Sequence, residues 1–179
     1  MAGLSIAWIA ETIAPRSRQP TVQRRKSHVP RAFGSGFALT CTLVAASPDL
    51  DVLITTHRTY SHTLGAAFMA GIIATIVAAL LRLPVGRTGM VCAAAYASHI
   101  LLDRLGKDSS SPYGMMALWP ISSAYYSSGA DIFFEISRRY WNPDEFIIGN
   151  AKSVAWEVRV LAPDAIVAWW IQKRATTPK

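Results

Sequence analysis

Residues 64–81 read LGAAFMAGIIATIVAALL and form an apolar run of 18 residues without a charged side chain. As a helix this run is about 27 Å long, which is close to the hydrocarbon thickness of a bilayer. Its small residues, among them Gly65 and Gly71, let a second helix approach closely. The run predicts a transmembrane helix with another helix packed against it.

Two further apolar segments flank this run. Residues 32–48 contain no charged side chain and predict a helix of 17 residues, near the lower limit for crossing a bilayer. Within them, Ser47 and Pro48 have the residue types of an N-cap and a first helical position, and so predict that a new helix starts there. After a short turn, the alanine-rich residues 88–105 predict the second arm of a helical hairpin. The expected fold is all-α, a membrane-associated helical bundle.

The composition agrees with this class of protein. Of 179 residues, 51% are hydrophobic and 16% are charged, whereas average proteins have about a quarter charged residues. The net charge is +7, of which residues 1–31 carry +5. We therefore divide the chain into a basic N-terminal segment and linker, residues 1–31, and one helical domain, residues 32–179. A basic tail beside apolar segments is typical of a membrane-surface flank, so we expect no specific nucleic-acid binding.

The remaining segments carry weaker signals. Residues 1–14 are apolar and fit either an amphipathic surface helix or an upstream extension of the reading frame. Residues 106–130 are rich in Ser, Gly and Pro and predict a long loop. Residues 131–141, DIFFEISRRYW, are amphipathic at helical spacing. Residues 162–174, APDAIVAWWIQKR, predict a short apolar helix with tryptophans that favour a membrane interface.

Side chains that bind metals collect on both sides of the apolar run. One group lies in SPDLDVLITTHRTYSH, residues 47–62, and the other in SHILLD, residues 98–103. Together they provide three carboxylates and three imidazoles: Asp49, Asp51, His57, His62, His99 and Asp103. The spacing of four between His99 and Asp103 places both on one face of a helix. Mixed nitrogen and oxygen ligands suit zinc, manganese or iron.

Each of these residues also has a structural interpretation. Asp49 can stabilise the first turn of a helix, His57 can lie on the surface, and His99 with Asp103 can form a satisfied pair inside a bundle. Their joint occurrence favours a metal site, because ionisable groups near membrane depth are costly and usually functional. If the basic tail is cytoplasmic, the basic clusters share one side of the membrane, and the candidate ligands share the other.

The hairpin geometry sets a condition for a single site. Counted from a turn near residue 85, His62 lies about nine residues farther along its arm than His99, roughly 13 Å for regular helices. A single site therefore requires that His62 precede its helix, or that the helices tilt or stagger.

Other chemistries lack their motifs. The sequence has no GxSxG nucleophile elbow, and the GSG at residues 34–36 is far short of a phosphate-binding loop. Cys41 and Cys92 lie in alanine-rich surroundings without a catalytic partner nearby. We interpret both cysteines as small buried hydrophobic residues.

The fragments SPDLD, HRTYSH and SHILLD, followed by YG and LWP, resemble those of the YdjM-like bacterial inner-membrane metal-dependent hydrolases. The resemblance extends over about residues 45–120. That family is similar in its motifs to the zinc-dependent phospholipase C and single-strand nuclease superfamily, whose members are all-helical and hold a zinc cluster. The resemblance implies metal ligation by Asp49, His62, His99 and Asp103.

The resemblance also implies roles for neighbouring residues. Asp51 and His57 are further ligands or their hydrogen-bond partners, and Arg58 faces a phosphate, which its planar fork matches. Gly114, Trp119 and Pro120 shape the loop around the site. No histidine follows His99, whereas the superfamily enzymes carry a later His-x-x-x-Glu pair. We therefore expect one or two divalent ions, zinc first, with manganese or iron as alternatives.

The expected function is metal-dependent hydrolysis of a phosphoester at the bacterial inner membrane, with a lipid-linked phosphoester among the candidate substrates. Metal-activated water is the expected nucleophile, Asp51 orients or deprotonates it, and Arg58 stabilises charge on the phosphate. The expected partners are the lipid bilayer and the phosphoester substrate. Two other functions use the same residues. One is a non-catalytic membrane protein with a structural metal site or a docking role, and the other is a metal or ion transporter, with ligands at mid-bilayer.

Overall fold

A computed structural model describes residues 2–13, 35–53, 58–109, 113–137, 139 and 141–176. Within these ranges the chain forms five α-helices: α1 (Ala2–Ile13), α2 (Ser35–Ala46), α3 (Leu64–Leu80), α4 (Val85–Leu105) and α5 (Asn150–Thr176). A 3-10 helix, Ser47–Leu53, follows α2, and a π-helical segment, Asp144–Gly149, precedes α5. The described residues contain two isolated β-bridges and no strand. The prediction of an all-α fold is confirmed.

Helices α3 and α4 form the predicted hairpin and touch along their backbones. A Cβ atom at Gly71 would lie 2.9 Å from the Cβ of Ala93, and one at Gly89 would lie 2.0 Å from Oγ1 of Thr75. Only hydrogen fits at either glycine, because real side chains do not approach so closely. The small residues of the apolar run therefore bring the two arms together, as their composition predicts.

Helix α1 belongs to the bundle and packs against α2, α4 and α5. Ala7 is fully buried in a cluster with Cys41, and a Cβ at Gly3 would lie 2.7 Å from the Cβ of Ala45. The Arg87 side chain donates a hydrogen bond to the carbonyl of Ala10 near the end of α1. Of the two alternatives for residues 1–14, a helix on the surface does not fit the structure, because small residues let α1 pack into the core. The basic residues 14–31 lie outside the described part of the chain.

Three local predictions differ from the structure. The hydroxyl of Ser47 donates back to the carbonyl of Val44 at 2.8 Å, so the segment continues as a 3-10 helix and no new α-helix is capped there. The described part of residues 131–141 is not helical, because its backbone pairs with the end of α4, with Lys107 N donating to Phe133 O at 2.8 Å. The C-terminal helix is longer than the predicted 162–174 and contains Pro163 in its interior.

None of the helices within the described ranges combines the length and the apolarity that a membrane crossing requires. The apolar run predicted as a transmembrane helix at residues 64–81 forms α3, which has 17 residues. The apolar residues 32–48 contain the 12-residue helix α2. The two buried cysteines are 0% and 1% exposed at positions 41 and 92, as expected of small core residues.

Replacing Gly89 with valine should destabilise the hairpin. Even if Thr75 rotates away, the carbonyl of Gly71 remains 3.0 Å from the new Cβ, so the backbones must separate. Overpacking of this kind lowers the free energy of unfolding by about 1–3 kcal/mol, measurable by denaturant unfolding followed by circular dichroism. At Gly86, also in α4, an added Cβ would have no atom within 4 Å, so Gly86→Ala is the matched control and should not destabilise. Equal stability of the two variants would contradict direct backbone contact.

Candidate metal centre

The end of α4 supplies two of the candidate ligands. His99 and Asp103 are one turn apart on the same face, with Nε2 of His99 3.8 Å from Oδ2 of Asp103. The buried side chains of Tyr96 and Ile100 hold this part of α4 in the core. Helix α4 ends soon afterwards at Leu105, so both ligands lie close to the open end of the hairpin.

His62 lies directly before α3 and meets the condition that the hairpin sets. Thr63 is the N-cap, and its side chain accepts a hydrogen bond from Ala66 N at 2.9 Å. Both His62 and Thr63 are fully buried. The hydroxyl of Tyr96 donates to the carbonyl of Ser61 at 2.7 Å, which ties this segment to α4. Because His62 precedes its helix, one of the conditions for a single site is met, and Nε2 of His62 lies 3.2 Å from Oδ2 of Asp103.

Four side chains converge on one point: Asp49, His62, His99 and Asp103. One oxygen or nitrogen atom from each lies within 4.8 Å of the others. Nε2 of His62 is 3.2 Å from Oδ2 of Asp103 and 3.3 Å from Nε2 of His99, which is 3.4 Å from Oδ1 of Asp49. Ligands about 2.0–2.1 Å from a tetrahedral zinc lie about 3.3–3.4 Å from one another. Three of the separations match this value and the others lie within 4.8 Å, so the four atoms can surround a single ion of about zinc size.

Asp51 lies behind His62, outside the group of four. Its Oδ2 is 3.2 Å from Nδ1 of His62, the nitrogen opposite the one in the group. The hydroxyl of Ser61 donates to the same carboxylate and lies 3.0 Å from Nδ1 of His62. A carboxylate on the far nitrogen orients a histidine ligand and raises its basicity. The structure thus places Asp51 where it can orient His62.

The charges in the cluster favour a cation. Burial by itself lowers the pKa of His62, but the nearby carboxylates of Asp103, Asp49 and Asp51 outweigh it and raise that pKa to about 9. Burial also raises the pKa of Asp103, yet His62, His99 and Arg58 hold it below its ordinary value. Oδ2 of Asp103 is buried and has no hydrogen-bond partner. In the metal-free protein the positive charges near this oxygen are those of protonated His62, at 3.2 Å, and Arg58, at 3.7 Å. A divalent metal could take the place of the proton on His62.

Arg58 lies at the edge of the group, beside a residue that the motifs do not include. Its Nη1 is 3.0 Å from Oδ2 of Asp108, and its Nε is 3.7 Å from Oδ2 of Asp103. Asp108 also accepts a hydrogen bond from the backbone of Gly114. Asp108 lies five residues after Asp103, in the segment predicted as a loop. Its closeness in sequence to the SHILLD motif is the only sequence signal that it belongs to the site.

The other predicted site residues have simpler positions. His57 lies outside the described residues. Trp119 packs edge-on against Tyr60, with ring centroids 5.4 Å apart, and a Cβ at Gly65 would lie 2.7 Å from the Trp119 carbonyl and 3.0 Å from Cδ of Pro120. The loop that contains Gly114, Trp119 and Pro120 therefore covers the start of α3. Sequence reasoning missed Ser61 and Tyr96, whose contacts depend on the folded arrangement.

Metal binding should release protons at neutral pH. In the metal-free protein the pKa of His62 is about 9, so below that pH the imidazole is protonated, and a metal requires it neutral. Each binding event should release about one proton, and the apparent affinity should rise with pH until about pH 9. Isothermal titration of zinc in buffers of different ionisation enthalpy measures this release. The release should vanish above pH 9, and a buffer-independent enthalpy at pH 7 would contradict the assignment.

The sequence was compared with family models, curated proteins and solved structures. No curated protein and no solved structure gives a significant match. The family model described as YdjM inner membrane protein matches residues 9–174, which include all the candidate ligands and most of the bundle. This chain therefore belongs to the family of YdjM inner membrane proteins, as the motifs around the cluster indicate.

Proposed function

We propose that this protein is a metal-dependent hydrolase that cleaves a phosphoester at the inner membrane. The observation that carries the proposal is the convergence of two imidazoles and two carboxylates at spacings suited to zinc. One of the four, Asp49, has a side chain that is 55% exposed. The group therefore lies at the protein surface, where water and a substrate can reach it.

The residues around the group have complementary tasks in this proposal. A bound divalent ion would lower the pKa of a coordinated water to near neutrality. Asp51 orients His62 through Nδ1 and takes no part as a ligand, because its carboxylate lies on the far side of the ring. Arg58 provides positive charge at the edge of the cluster, where its side chain is 18% exposed. Such a charge favours an anionic substrate and the charge that develops on it.

Exposed apolar side chains beside the cluster support a lipid-linked substrate. Leu50, between Asp49 and Asp51, is 60% exposed, and Tyr60 is also 60% exposed. Neither side chain is covered by the bundle, although both belong to the segments that hold the ligands. Apolar groups around a polar centre suit a phosphoester with an acyl or prenyl chain better than a fully water-soluble one. Membership of an inner-membrane family supports the same substrate class.

A structural metal site is the second candidate function, and one observation favours it. The group offers four protein ligand atoms, the number that binds the metal in zinc sites that serve stability. In a transporter the ligands are expected near the middle of the bilayer. Here they lie before α3 and in the last turns of α4, which makes transport the weakest of the three.

Replacing Asp103 with asparagine should remove the metal. The neutral amide is a poorer ligand than the carboxylate, and Oδ2 of Asp103 faces both His62 and His99. We expect bound zinc, measured by plasma mass spectrometry, to fall to near zero, and phosphodiesterase activity with it. Asp164→Asn, an exposed carboxylate on α5, is the matched control and should keep both. Full metal content and activity in Asp103→Asn would refute the proposal.

Replacing Asp51 with asparagine should weaken metal binding without abolishing it. Loss of a carboxylate that orients a histidine ligand typically lowers metal affinity 10–100-fold. Competition with a coloured zinc chelator measures this affinity directly. A complete loss of binding, as large as that of Asp103→Asn, would instead mean that Asp51 is itself a ligand.

Activity separates the two candidate functions. Purified protein loaded with zinc should hydrolyse a chromogenic phosphodiester or a phospholipid in mixed micelles, and a chelator should stop the reaction while leaving helix content unchanged. A structural site predicts the reverse, with no hydrolysis and a large loss of thermal stability on chelation.

A further inference from the structure

The Arg58 side chain lies between two carboxylates at the edge of the metal group. Nη1 contacts Asp108 at 3.0 Å, and Nε lies 3.7 Å from Oδ2 of Asp103, the oxygen that also faces His62. Nε is buried and lacks a hydrogen-bond partner. The guanidinium therefore occupies the point where a candidate metal ligand and a second buried carboxylate meet.

In two-metal hydrolases, two ions about 3.5–4 Å apart stabilise the attacking and leaving oxygens together. A second ion here would need one carboxylate that it shares with the first ion and another carboxylate of its own. Asp103 and Asp108 have this arrangement, but the cation between them is an arginine.

We propose that Arg58 takes the place of a second metal ion, so that the centre holds one divalent ion, and that Asp108 is the positioning residue that keeps Arg58 there. This inference rests on the metal site of the proposed function and specifies how many ions that site contains.

Asp108 is well placed to position Arg58, because the loop after α4 holds it. Its side chain is 7% exposed and accepts a hydrogen bond from Gly114 N. Gly114 has a φ of 90°, and a Cβ there would lie 2.6 Å from the carbonyl of Tyr126. Met115 and Tyr126 exchange backbone hydrogen bonds of 3.1 and 2.9 Å. The turn that carries the donor to Asp108 thus tolerates only glycine at position 114, and the backbone pair of Met115 and Tyr126 holds it in place.

The charges in and beside the cluster agree with one ion. The carboxylates are those of Asp49, Asp51, Asp103 and Asp108. One divalent ion together with the Arg58 guanidinium offsets three of these four negative charges. A second divalent ion beside Asp108 would meet the guanidinium at short range in a largely buried place, where like charges repel strongly.

The experiment counts bound zinc per chain in the purified full-length protein, by plasma mass spectrometry after dialysis against trace zinc. Arg58 has a φ of 65°, so Arg58→Gly removes the cation without backbone strain, and Arg58→Lys keeps a positive charge as the matched control. We expect one zinc in the wild type and in Arg58→Lys, and a rise toward two in Arg58→Gly. The double variant Arg58→Gly with Asp108→Asn should return to one, because the second ion needs the Asp108 carboxylate.

The outcomes separate this inference from the proposed function. Two zinc ions in the wild type, or a single ion in a folded Arg58→Gly, would overturn the metal count and leave hydrolysis untouched. No bound zinc in the wild type would overturn the metal site and the proposed hydrolase with it. If Arg58→Gly does not fold, the wild-type count alone decides between one ion and two.

Discussion

The close contact between α3 and α4 is the constraint on which the rest of the structure depends. Gly71 and Gly89 let the two backbones meet, and this contact sets the relative height of every residue on the two arms. A wider spacing would move His99 and Asp103 away from His62, and a shift along the helix axis would separate them just as effectively. The packing of small residues between α3 and α4 therefore largely decides the geometry of the polar cluster at the end of the hairpin.

The cluster itself is held by carboxylates that crowd a buried imidazole. Such crowding is unfavourable unless positive charge is present, as a proton on His62 or as a metal ion. The raised pKa of His62 and the lowered pKa of Asp103 both result from the attraction between the imidazolium and the carboxylates. The arrangement costs stability in the absence of a cation, and natural proteins retain such costs mainly where function requires them.

A second layer of hydrogen bonds surrounds the segment that contains His62. Tyr96 holds the carbonyl of Ser61, Ser61 contacts both Asp51 and His62, and Thr63 caps α3. Ser61 contacts the His62 ring itself, and the bonds of Tyr96 and Thr63 fix the residues on either side of His62. Tyr96 belongs to α4 and thus ties the segment before α3 to the helix that carries the other ligands. At this end of the hairpin, Tyr96 both packs in the core and holds the segment that carries His62.

Sequence alone determined the helical class, the two arms of the hairpin and the six candidate ligands, because apolar periodicity and side-chain chemistry are local properties. It also led to the family, which the match over residues 9–174 shows. The helix start predicted at Ser47 was wrong, and no described helix has the length and apolarity of the membrane span predicted at residues 64–81. The resemblance already pointed to Asp49, His62, His99 and Asp103 as ligands and left two roles open for Asp51. Only the tertiary structure decided that Asp51 lies behind His62 and that Asp108 holds Arg58. These relations depend on where each segment bends and what it packs against, and residues far apart in sequence set those contacts.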